Sequence, residues 1–98
     1  MYHSIYKITT CKIISPYTLE LTFNDGLIKK INFEKILYGE MYSPLSDLNL
    51  FNRVKIDPEV FTIVWPNGAD FDPSLLHDWE EHESELANRA KEWDVIVK

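Results

Sequence analysis

The alternation of apolar and polar residues is clearest at Tyr17-Thr18-Leu19-Glu20-Leu21-Thr22-Phe23. Tyr17, Leu19, Leu21 and Phe23 fall on one side and Thr18, Glu20 and Thr22 on the other. A period of two predicts a half-buried β-strand. The segment before it, 5–14, is rich in β-branched residues and predicts another strand, broken at Ser15-Pro16. Asn24-Asp25-Gly26 follows, a combination that tolerates the positive φ of tight hairpin turns. It leads into Leu27–Phe33, where Ile31 and Phe33 alternate with Lys30 and Asn32. The pattern predicts an antiparallel meander with one wet face.

Beyond residue 33 the period changes. Glu34–Tyr38 predicts one helical turn ended by Gly39. Tyr42–Pro44 predicts a loop. Pro44–Phe51 predicts a short helix, with Pro44 in its first turn and Leu45, Leu48 and Phe51 on one face. Arg53–Ile56 and Phe61–Trp65 predict two more strands, separated by Asp57-Pro58. Pro66-Asn67-Gly68 turns the chain, and Asp72 and Pro73 suit the N-cap and first position of a helix. Leu75, Trp79, His82, Leu86, Ala90 and Trp93 keep helical spacing, which predicts a single amphipathic C-terminal helix. Residues 94–98 predict an edge strand or a tail. The expected architecture is one α+β domain over residues 1–98, with an antiparallel sheet of about five strands, short helices and that C-terminal helix.

Charge sharpens this picture more than bulk composition does. Residues 1–56 carry seven basic and five acidic side chains, a balance of +2, while residues 57–98 carry three and eleven, a balance of −8. Direct nucleic-acid binding does not suit an acidic surface of this kind. A basic protein partner does, with the acidic C-terminal helix as the expected contact, through electrostatic complementarity. The single Cys11 makes no intrachain disulfide, and no apolar run approaches the roughly 20 residues of a membrane span. With no secretory h-region in the first fifteen residues, a cytoplasmic protein is expected.

The motifs taken together resemble the bacterial domain of unknown function 2442 family over residues 8–77. Asp25-Gly26, Leu37-Tyr38-Gly39, Pro44-Leu45-Ser46-Asp47 running into Phe51, Asp57-Pro58, Trp65-Pro66-Asn67-Gly68-Ala69-Asp70, Phe71-Asp72-Pro73 and Leu76 carry the likeness. The resemblance implies a small α+β fold. Its contexts, fusion to helix-turn-helix domains and toxin–antitoxin-type gene pairs, imply a regulatory or partner-binding module. It implies no catalytic residue. It also marks the acidic stretch of residues 78–98 as an addition.

No chemistry-bearing constellation stands out against these structural roles. His77 to His82 contains five potential metal ligands, but zinc needs three or four that converge. The two histidines lie roughly 140° apart around a helix, so no metal site is expected. Asp25, Asp70 and Asp72 sit in turns, where such side chains bond nearby backbone amides. Cys11, inside a strand, reads as an inert thiol, and no glycine-rich loop or other cofactor signature is present. The expected structural motif is Asp25, Gly26, Trp65, Pro66, Asn67, Gly68, Asp70, Asp72 and Pro73. Trp65, Phe61, Phe71 and Trp79 read as core. Tyr38, Tyr42, Trp79, Glu80, Glu83 and Trp93 are the candidates for contact with a partner, with Tyr38, Tyr42 and Trp93 as the exposed aromatics. The functional expectation is a non-enzymatic interaction module, antitoxin-like in a two-gene system, with a homodimer through an open sheet edge. The alternative is a small-ligand sensor.

Overall fold

A computed structural model describes residues 6–81, 83, 87 and 88. The antiparallel meander is present, with Ser15 inside the first strand and Tyr17, expected in the second, in the turn before it at φ +58°. Strand β1 (Ile8–Ser15), β2 (Thr18–Phe23) and β3 (Ile28–Asn32) form an antiparallel sheet in that order. Leu19, Leu21 and Phe23 of β2 are buried together with Ile31 of β3 and Ile8 of β1. The other face is wet, and its register places Lys12 opposite Glu20 and Glu20 opposite Lys30, opposite charges of the kind that stabilise cross-strand pairs. Gly26 takes φ +92° in the β2–β3 turn, a conformation open to glycine at little cost.

The next segment is built from very short pieces. A 3-10 turn at Glu34–Ile36 leads to α1 (Gly39–Tyr42), a second 3-10 turn at Ser43–Ser46, and α2 (Leu48–Phe51). The single helix expected over 44–51 is therefore split. Asp47 sits at the break with extended backbone (φ −77°, ψ 113°), and its side chain accepts a hydrogen bond from the Asn49 amide. It caps the second piece instead of continuing the first. Gly39, expected to end a helical turn, opens α1.

The five-stranded sheet is corrected to three strands plus a separate two-stranded ladder of β4 (Lys55–Ile56) and β5 (Ile63–Val64). The reason lies at both ends of the apolar run 61–65. Phe61 adopts φ +56°, and its amide donates to the Asp57 carbonyl at 2.9 Å. The chain is thus still turning where a strand was expected. Asp57 holds that turn by accepting from the amides of Glu59 and Val60. After Val64 the chain turns again, with the Gly68 amide donating to the Trp65 carbonyl at 2.9 Å.

Helix α3 (Pro73–His77) starts where expected, with Asp72 as its N-cap. It is not the first part of an unbroken helix. Asp78 leaves helical geometry (φ −106°, ψ 35°), and helical backbone resumes at 79–81, recurring at 83, 87 and 88. His82, Leu86, Ala90, Trp93 and the tail 94–98 lie outside the described residues.

The core joins the meander to these short pieces. Phe33, just past β3, lies 5.3–6.2 Å between ring centroids from Phe51, Trp65, Phe71 and Trp79. Ile36, Leu37, Leu45, Ile63, Ala69 and Leu76 complete the apolar interior among the described residues. The buried Trp65 indole donates to the Phe51 carbonyl at 2.9 Å, which gives its polar N–H the partner that burial demands.

Candidate functional site

The turn 65–70 was the densest motif in the sequence, and its side chains are occupied in building the turn. Asn67 accepts from the Ala69 amide at 3.1 Å through Oδ1 and donates to the Met41 carbonyl at 3.0 Å through Nδ2. Tyr42 donates its hydroxyl to the Asp70 carbonyl at 2.9 Å and stacks on Phe71 with centroids 4.9 Å apart. Asp72 accepts from the Ser74 amide at 2.8 Å, and Pro73 occupies the first helical turn. Pro66 is exposed, and Gly68 takes φ +91°. The two bonds from this turn to α1 fix the helical segment against it.

The residues nominated for partner contact separate once placed in space. Tyr38 is 42% exposed. It borders a shallow cleft of about 240 Å³ lined also by Tyr17, Glu34, Leu37 and Ser46. Tyr42 is half-buried, its hydroxyl and ring both engaged, which corrects the expectation of an exposed aromatic. Trp79 is only 4% exposed, with Phe33 and Phe71 against its ring. That burial removes Trp79 from the contact surface. Glu80 is exposed and pairs with Lys29 of β3. Glu83 is half-buried, and Trp93 lies outside the described residues. Sequence reasoning missed Met41 and Leu48, which are 48% and 37% exposed. A lone methionine between Gly39 and the expected loop and a leucine in apparent core spacing gave no signal of exposure.

Among the described residues, three ionisable side chains meet around His77. Its Nε2 lies 2.7 Å from Asp25 Oδ2, and its Nδ1 lies 3.0 Å from Asp78 Oδ1. The ring stacks on Tyr6 with centroids 3.8 Å apart and meets Phe23 edge-on at 5.1 Å. The side chain is 14% exposed. Local structure delivers each partner. Asp25 is held by the Leu27 amide in the β2–β3 turn, and Asp78 stands at the break that ends α3.

Burial is the largest single influence on the ring and opposes its charge, but hydrogen bonds and charge from Asp78 and Asp25 outweigh it. The His77 pKa is consequently raised above the usual 6.5. Asp25 is held below the usual 3.8, first by the Leu27 amide and then by His77. Among the described residues, no group of three or more His, Cys, Asp or Glu side chains is arranged to hold a metal ion. Cys11 is half-buried, and burial pushes its thiol up to about 11, where the reactive thiolate is scarce at neutral pH.

This geometry accompanies a clear family assignment. The chain belongs to the family described as protein of unknown function (DUF2442), whose model matches residues 8–82. The match extends past residue 77 and takes in Trp79, in keeping with that side chain's place in the core. No curated protein and no solved structure matches the chain. Among the described residues, no helix is long and apolar enough to cross a membrane.

Proposed function

We propose that this chain is a non-enzymatic protein-interaction module of the cytoplasm, the antitoxin-like or regulatory member of a two-gene pair. Its contact face is the helical segment 34–51, and its partner is a basic protein. The observation that carries this reading is the exposure of Tyr38, Met41 and Leu48 along one segment. Exposed Glu34, Glu40 and Asp47 surround them, with Lys35 as the basic residue of that segment. Aromatic and methionine side chains are enriched in interface cores, and an acidic rim steers and selects a basic partner. The face is braced from behind by Leu45 and Phe51 in the core and by the bonds from Asn67 and Tyr42.

The test is to recover tagged chain from its native host, identify bound proteins by mass spectrometry, and titrate the recombinant partner by calorimetry. Tyr38→Ala and Met41→Lys should each weaken binding about tenfold or more, or about 1.4 kcal/mol, with the melting temperature unchanged. Recovery of no basic partner, or equal affinity in both variants, would refute the reading.

The ligand-sensor alternative rests on the cleft beside Tyr38. Its volume of about 240 Å³ falls short of the roughly 300–1,000 Å³ of small-molecule sites. The Tyr17 hydroxyl on its wall already donates to the Ser46 carbonyl. A metabolite that raised the melting temperature, with the effect abolished by Tyr38→Ala, would favour this alternative.

A further inference from the structure

We propose that His77 is a proton-operated clasp, closed when its ring is an imidazolium and loosened when the ring is neutral, that fastens α3 and the chain following it to the β2–β3 turn. This goes beyond the interaction reading and does not depend on it.

The geometry sets the logic. Each ring nitrogen faces a different carboxylate, Asp25 on one side and Asp78 on the other. Only the imidazolium has two N–H donors; a neutral ring has one donor and one acceptor. A neutral His77 therefore meets one carboxylate lone pair to lone pair, and one of the two contacts must open. Asp78 is the adjacent residue in the chain, whereas Asp25 is 52 residues away. Loss of the Asp25 bond is the change that separates two elements.

Among the described residues, Asp25 and Asp78 are the charged groups in contact with the ring. Tyr6, preceding β1, stacks on it, and Phe23 from the end of β2 meets it edge-on. Asp25 from the turn and Asp78 from its own segment supply the charges that face it. The Lys29–Glu80 pair, joining β3 to residues just past the break, is the next ionic contact along the same seam.

Two residues beyond His77 lies the buried Trp79. The clasp thus holds the point at which the chain leaves α3 and enters the aromatic core. The raised pKa of His77 agrees in direction, and it places the transition where a histidine can respond to near-neutral pH. The sign follows from linkage. A histidine whose folded pKa is raised stabilises fully below its unfolded value near 6.5 and loses that contribution as pH rises through the folded value. Asp25, with its pKa lowered, contributes above about 3.8 and loses its contribution as pH falls through its folded value. The clasp is tightest between about pH 4 and 6.5.

The experiment follows the His77 ring by NMR from pH 5 to 9 and, in parallel, amide exchange at residues 78–81, corrected for the base catalysis of exchange itself. His77→Gln assigns the ring signal. The expected result is a midpoint above 6.5 that falls by about half a unit or more in Asp25→Asn, since each unit is a tenfold preference. Exchange at 78–81 should quicken across the wild-type midpoint and show no such step in Asp25→Asn. A wild-type midpoint at or below 6.5, or exchange that ignores the titration, overturns the proposal. Should His77→Gln fail to fold, Asp25→Asn alone decides it, because the Asn side chain still offers an acceptor to the Leu27 amide.

Discussion

The meander and the segment that follows it solve the same problem in different ways. In β1–β3 the ladder satisfies the backbone, and side-chain alternation along the central strand β2 decides which face is buried. From Phe33 to Asp72, no regular element exceeds four residues. There the backbone relies on side-chain acceptors at Asp47, Asp57 and Asn67, and the aromatic rings around Phe33 supply the cohesion. The comparison teaches why the recognisable motifs crowd into the second region. A ladder accepts many residues with the right period, whereas a capped turn needs a particular oxygen at a particular position.

The sharpest way to break the second region is at its hub. Phe33→Ala should cost about 3–5 kcal/mol, because the rings of Phe51, Trp65, Phe71 and Trp79 all lose a neighbour. Urea denaturation would measure it. Such a loss is a large fraction of the roughly 5–15 kcal/mol that stabilises a domain.

Gly68→Ala tests the turn chemistry alone. At φ +91° an added Cβ meets nothing within 4 Å, so the expected loss of about 1–2 kcal/mol is purely conformational. A change of that size in the denaturation midpoint, with an unchanged slope against urea, is the expected signature.

Acid should expose the caps next. Asp57 sits below the usual 3.8 because the Glu59 and Val60 amides hydrogen-bond to its carboxylate. Its contribution is present above the unfolded value and is lost as pH falls through the folded one. Melting curves from pH 5 to 2 should show a smaller acid loss for Asp57→Asn, which keeps the acceptor without the charge.

The smallest effect belongs to the wet face of the meander. Thr22→Val should change stability by less than about 0.5 kcal/mol, since Thr22 points away from the buried residues of β2. A loss of several times that would mean this face is covered.

How much of this was legible follows the same division. The alternation of β2, the Asp25-Gly26 turn and the Asp72-Pro73 helix start were readable because each depends on residues adjacent in the chain. Asp47 was read as helix interior because its neighbours Leu45 and Leu48 have helical spacing. Only the extended backbone at Asp47 reveals that it caps. The run 61–65 looked like a strand because apolar residues serve a ladder and an aromatic core equally well, and nothing local announced the positive φ of Phe61. The His77–Asp25 contact had no local signature either. In the sequence they are polar side chains in a helix and a turn, 52 residues apart, and only the packing of α3 onto the meander brings them together.

The late position of Leu76 and Trp79 also has a consequence for synthesis. Both are buried in the same core as Leu19, Leu21 and Ile31. A chain emerging N-terminus first, at roughly 5–20 residues per second, completes its meander seconds before these two side chains exist. Through that interval the core lacks those two large side chains, and the nascent chain presents apolar surface to chaperones and to its neighbours on the same message.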